Sequence, residues 1–196
     1  PPSEDTSSAN PPLKRALKDL NADHPYLVER GLTVPTIKAS GLGYCTRGLM
    51  RGRIAIPIHD ASGQLVAYAG RAVDDSLADD KGKYRLPDGF KKSDVLFNLH
   101  RATEHSDGHL IVVEGFFDCF MVHQAGFPNV IALMGSTLSD EQKALLLGSA
   151  ERLDLMFDGD DAGTKCLRQF YAELRRELFL REVHLDPGEQ PDRLSQ

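Results

Sequence analysis

The feature that most constrains this chain is a series of short, largely apolar segments, too brief for helices, alternating with longer segments of helical period. Leu110–Val113, Val130–Leu133 and Arg152–Phe157 are strand-sized. Between the first two, Phe117–Ala125 carries apolar residues at helical spacing, and Ser139 with Gln142 three residues on forms a capping box for a helix through Leu147. A long helix is predicted from about Ala162 to Leu180 and a fourth strand over Glu182–Leu185. Strands covered on both faces read as continuous apolar runs, so this alternation predicts an α/β fold with a parallel sheet and helices on both faces. In such a sheet the site lies at the carboxyl ends of the strands.

The first half has a different rhythm. Residues 1–12 are Pro, Ser and acid with no large apolar side chain, and read as a disordered tail or linker. Leu13, Leu17 and Leu20 recur at helical spacing, a short helix around Tyr26–Arg30 ends at Gly31, and a third helical turn after Pro35 closes at Gly41. From Arg53 the period becomes two: Ile54, Ile56 and Ile58 alternate, Asp60–Gly63 turns, and Gln64–Arg71 returns, which predicts a β-hairpin. Residues 74–94 are polar, with Tyr84 and Phe90 among Lys81, Lys83, Arg85, Lys91 and Lys92. That composition suits either a solvated loop or a surface that meets phosphates and bases.

Charge separates the same two halves. The formal net charge is −6, yet residues 11–101 hold 15 Lys and Arg against 10 Asp and Glu, whereas residues 102–196 hold 8 against 17. A basic lobe beside an acidic one suits an anion-binding surface next to a cation-binding site. Cys45, Cys119 and Cys166 are far apart, so no zinc site or paired redox motif is expected, and each reads as a small buried apolar residue. No apolar run approaches the ~20 residues that span a bilayer, and the start lacks a leader pattern. A soluble, cytoplasmic chain, cut from a longer protein, is the expectation.

Three acids stand where the sheet rule puts a site. Glu114 follows Leu110–Val113, and Asp158 and Asp160 follow the strand ending at Phe157. Carboxylates converging there repel unless a cation neutralises them, and a hard, oxygen-seeking ion such as Mg²⁺ or Mn²⁺ is the natural one. Gly115 and Gly159 directly follow Glu114 and Asp158, leaving room for close approach. Asp160 and Asp161 also precede a predicted helix; the cap is assigned to Asp161 and metal binding to Asp160.

These segments carry a family resemblance. Val113-Glu114-Gly115-Phe116-Phe117-Asp118, the stretch Gly135–Gln142, and Phe157-Asp158-Gly159-Asp160-Asp161-Ala162-Gly163 resemble the three signature segments of the Toprim domain in the form found in bacterial DnaG-type primases. Tyr26–Leu32, Gly41–Tyr44, Arg53–Ile58, Ala69-Gly70-Arg71, Lys83-Tyr84 and Phe90–Ser93 resemble the primase lobe that precedes Toprim. The resemblance implies a Toprim parallel-sheet domain over residues 102–196, preceded by a smaller, mixed α+β and basic primase lobe over residues 13–101.

The same resemblance implies a function: synthesis of short RNA primers on single-stranded DNA by metal-dependent nucleotidyl transfer during replication. Glu114, Asp158 and Asp160 would be catalytic and, with Asp192, would hold two or more Mg²⁺ or Mn²⁺ ions. Arg53, Arg71, Lys83, Lys91 and Lys92 would face nucleic-acid or nucleotide phosphates. The partners would be the template, ribonucleoside triphosphates and the primer, with a replicative helicase reached through regions outside this chain. Where the family has two aspartates flanking a proline, this chain reads Gln190-Pro191-Asp192. A Toprim nuclease and a non-catalytic nucleic-acid-binding module of a mobile-element replication protein are the alternatives.

Overall fold

The computed structural model describes residues 10–74 and 82–193. Most of the expected tail, Lys81 and the last three residues lie outside them. Two four-stranded sheets form the framework. The first is antiparallel, in the order β1 (Gly43–Cys45), β2 (Arg53–His59), β3 (Leu65–Ala72) and β4 (Tyr84–Arg85). The hairpin between β2 and β3 is the expected one, since Asp60 Oδ1 accepts from the backbone N–H groups of Ser62 and Gln64 while Gly63 takes φ 83°. Two short helices precede β1, α1 (Pro25–Glu29) and α2 (Val34–Ala39), and the left-handed glycines Gly31 and Gly41 close them.

No helix forms over residues 13–20, contrary to expectation. The segment runs irregularly along the sheet: Leu13 N–H donates to Leu65 O, Leu17 N–H to the Tyr68 hydroxyl, and Asn21 bridges Tyr44. Leu13 and Leu17 are 41% and 38% exposed, so the helical spacing of these leucines buries no common face. Asn10, assigned by composition to the tail, is buried, and its side-chain amide pairs with both the N–H and C=O of Lys91.

The second sheet is wholly parallel, in the order β6 (Val130–Ala132), β5 (His109–Val113), β7 (Arg152–Leu155) and β8 (Phe179–Glu182). Its helices are α3 (Leu99–Glu104), α4 (Phe116–Gln124), α5 (Asp140–Ser149) and α6 (Asp161–Leu174). Alternation along β5 sorts them onto two faces. Leu110 and Val112 pack with Leu99, Leu146, Phe170 and Leu174, whereas Ile111 and Val113 pack with the phenylalanines of α4. The final helix ends six residues before the expected limit, and β8 begins earlier than expected. Leu178 is buried after the turn at residues 175–177, and Phe179–Glu182 pairs in parallel register with Arg152–Leu155.

One core joins the two sheets. Ile54, Ile56 and Ile58 of β2 pack in the same cluster as Phe116, Phe117 and Phe120 of α4, so that α4 lies between the antiparallel and the parallel sheet. Phe97 pairs backbone-to-backbone with Ala132 at the edge of β6, and the division expected between residues 101 and 102 falls inside α3. All three cysteines are buried and unpaired. Among the described residues no helix is long and apolar enough to cross a membrane.

Candidate functional site

The carboxyl ends of β5, β6 and β7 open on a cleft of about 530 Å³. Glu114, Asp118, Asp158, Lys92, Gly135 and Ser136 supply its polar lining, and Tyr84, Leu86, Phe116 and Met134 its apolar lining. Glu114 and Asp118 are held by backbone N–H groups. Glu114 Oε1 accepts from Asp158 N–H at 3.1 Å, which ties the tips of β5 and β7 together. Asp118, in the first turn of α4, reaches back so that its Oδ2 accepts from Gly115 N–H at 2.9 Å, and it also accepts from Asp192 N–H.

Asp118 was absent from the sequence-based site set, although its spacing from Glu114 put it one helical turn beyond the strand end. It joins the cluster because α4 starts immediately after Gly115. Burial is the largest cause of the upward pKa shifts of all three acids. It pushes Glu114 up to about 7, against the opposing Asp158 N–H hydrogen bond and with help from the Asp158 and Asp160 charges. Asp118 rises to about 6, with Asp158 and Asp192 adding to the desolvation. Asp158 rises as well, partly offset by the amide of Gln190, whose Nε2 donates to Asp158 Oδ2 at 2.8 Å. Asp158 Oδ1 is buried with no hydrogen-bond partner.

The other two expected ligands are engaged elsewhere. Asp160, not Asp161, caps α6, because its backbone is extended and its Oδ1 accepts from Gly163 N–H at 2.8 Å; Asp161 is the first helical residue. Asp160 faces a second cavity of about 300 Å³ on the α6–β8 side, which it shares with Asp158, Glu182 and His184. Asp192 is ion-paired with Arg30, which also lies over the Phe117 ring at 4.6 Å. Among the described residues no three His, Cys, Asp or Glu side chains are already gathered into a metal-holding set.

The chain between β7 and α6 is held by close backbone packing. A Cβ on Gly159 would lie 2.1 Å from Asp186 O, and one on Gly163 would lie 2.1 Å from Asp158 O. The residue-level signal was correct in type: a glycine after the acid allows close approach. The approaching group is the backbone of residues 186–189, since Gly159 N–H donates to Glu189 O and Gly188 N–H to Gly159 O.

The cations of the first lobe sort by placement. Lys92 belongs to the cleft, with its Nζ 3.3 Å from Met134 O, and the turn that carries it is fastened to the start of α5. Ser139 Oγ donates to Ser93 O at 2.6 Å, and buried Gln142 donates to Val95 O and Leu133 O. The capping-box pair thus does two things, closing the helix and holding the lysine's turn. Arg71 sits at the end of β3, its Nε on the Tyr26 hydroxyl at 2.9 Å and its guanidinium over the Tyr84 ring at 4.8 Å. Lys83 and Lys91 are exposed outside the cleft lining. Arg53 is corrected: it is 5% exposed and packs beneath Gly70, so its position at the start of β2 turns it into the lobe and away from solvent phosphates.

Residues 111–194 match the family model described as Toprim-like, and residues 47–103 match the model of the DNA primase catalytic core, N-terminal domain. A DNA primase of Aquifex aeolicus is 33% identical over 186 residues, covering 92% of this chain and 36% of the relative. The chain belongs to the bacterial DnaG-type primases. Its structure agrees with solved ones: the zinc-binding and RNA polymerase domains of the Aquifex aeolicus primase align with a TM-score of 0.76 at 28% identity, over 86% of this chain and 50% of that one. A primase domain from Pseudomonas aeruginosa aligns with a TM-score of 0.74 at 28% identity, over 87% of this chain and 65% of that one. The primase core described here therefore spans about a third of the length of its Aquifex relative. The pairing of both family segments in one chain carries the assignment, because Toprim alone is common to several activities.

Proposed function

We propose that this chain is the catalytic core of a primase that joins ribonucleotides into short RNA primers on single-stranded DNA by metal-dependent nucleotidyl transfer in replication. The observation that carries the reading is the cleft, which brings the carboxylates of Glu114, Asp118 and Asp158 and a lysine on an anchored turn into one lining. The donor set suits a hard divalent ion such as Mg²⁺ or Mn²⁺: it is all carboxylate oxygen, partly buried and electrostatically costly, and Asp158 Oδ1 awaits a partner. Glu114, Asp118 and Asp158 would hold the ion, with Asp160 and Asp192 outside this set. Bound there, a divalent ion supplies charge neutralisation for phosphate oxygens and activation of an attacking hydroxyl.

The protein's own part is orientation. Lys92 offers a mobile point charge to nucleotide phosphates from the same cleft, and the half-buried Tyr84, Leu86 and Met134 offer apolar surface to a base. Arg71, Lys83 and Lys91 lie on the basic lobe, where the template's backbone would run. Ribonucleoside triphosphates and the primer complete the set of partners, and contact with a helicase would use regions outside this chain.

The test is incubation of the chain with single-stranded DNA, ribonucleoside triphosphates and Mn²⁺. Extended RNA products that vanish in Asp158→Asn are expected. Strand cleavage without ribonucleotide incorporation would favour a Toprim nuclease, and DNA binding indifferent to metal, with no product, would favour a non-catalytic module.

A further inference from the structure

The acid cluster holds one neutral member whose contact is directed at a single carboxylate oxygen. Gln190 arrives on the segment packed against Gly159, and its Nε2 donates to Asp158 Oδ2 at 2.8 Å. The neighbouring Pro191 is buried, and Asp192 next to it is locked to Arg30 and, through its N–H, to Asp118. The backbone that carries the amide is therefore held in place. On Asp158 the two oxygens have opposite fates: Oδ2 is taken by the amide, while Oδ1 is buried with no partner.

From this arrangement we propose that the Gln190 amide stands in for a cation at Asp158, occupying Oδ2 as a hydrogen-bond donor so that a divalent ion reaches this carboxylate only through Oδ1. An amide N–H group is a partial positive charge that stabilises a carboxylate without a metal. A carboxylate in the same place would face Asp158 at hydrogen-bond distance and would need a shared proton or, at neutral pH with metal present, an ion between the two. Gln190 is thus a positioning residue that lowers the number of ions the site takes. The proposal rests on the metal reading above.

The experiment counts ions instead of turnover. Mn²⁺ bound per chain is measured by electron paramagnetic resonance and titration calorimetry for the native chain, Asp158→Asn, Gln190→Glu and Gln190→Ala. The Glu variant is expected to bind one more Mn²⁺ than the native chain, and its melting temperature to rise more on Mn²⁺ addition than the native chain's. The Ala variant, freed of the competing donor, is expected to bind Mn²⁺ several-fold more tightly. Equal counts for native and Glu variants, or weaker binding in the Ala variant, would overturn the proposal while leaving the metal reading intact. Should Gln190→Glu fail to fold, the affinity of Gln190→Ala decides alone. Native binding that Asp158→Asn leaves unchanged would remove the metal reading and the proposal together.

Discussion

The two sheets present charge in different ways. In the parallel sheet the acids stand at strand ends or in the helical turn after one, and two of their carboxylates are gripped by backbone N–H groups, Glu114 by Asp158 and Asp118 by Gly115. In the antiparallel lobe the cations sit at a sheet edge or on turns, exposed in Lys83 and Lys91, stacked in Arg71. The difference suits the tasks proposed for them. A metal site needs oxygen ligands fixed to fractions of an ångström, whereas phosphate attraction in water acts at longer range and tolerates mobile donors. Lys92 is the exception that joins the regions, a first-lobe cation fastened by α5 to the second.

Perturbing the rigid side should have the largest effect. Asp158→Asn is expected to lower primer synthesis on the order of 100-fold or more, because it removes a charge from the proposed, partly buried ligand set. Gly159→Ala follows. Its Cβ would meet backbone, not a side chain that can move, so a loss of roughly 1–3 kcal/mol in stability is expected, measured by denaturant unfolding. Normal stability would mean that residues 186–189 yield easily and that the acids are less firmly framed than described.

A smaller effect comes from pH. Glu114 holds its proton up to about 7 in the folded protein, well above its unfolded value, so the folded state binds more protons between about 4.5 and 7. Stability of the metal-free protein is therefore expected to fall as pH rises through that window, by on the order of 1–2 kcal/mol once partial exposure to water is discounted. Glu114→Gln should flatten this slope, and thermal melts between pH 4.5 and 7.5 in EDTA would show it. The smallest expected effect lies on the mobile side. Lys92→Ala should lower the salt dependence of single-stranded DNA binding by about one unit of slope. An unchanged slope would remove Lys92 from the phosphate path.

The strength of local signals decided what was legible in the sequence. Three of the four parallel strands, the β2–β3 hairpin and the Ser139–Gln142 cap were visible, since period, turn residues and capping chemistry act within a few residues, whereas β8 lies three residues before its expected start. The leucines at 13, 17 and 20 misled, because a helical spacing has meaning only if a surface is available to bury it, and here tertiary hydrogen bonds to Leu65 and Tyr68 take the segment instead. Of the expected acids, Glu114 and Asp158 line one cleft. Asp160 and Asp192 were not gathered with them, for reasons spacing cannot show: one acid serves a helix terminus, and the other meets Arg30 from 162 residues away. Asp118 was hidden by the same limit, as only the tight entry into α4 turns it back towards Gly115.

The most direct test of the account is where Mn²⁺ sits. Crystals of the chain soaked in Mn²⁺ should give an anomalous peak in the cleft, against Asp158 Oδ1 and the Glu114 and Asp118 carboxylates. A peak confined to the cavity of Asp160, Glu182 and His184, or none at saturating metal, would contradict the claim that this cleft is the catalytic site.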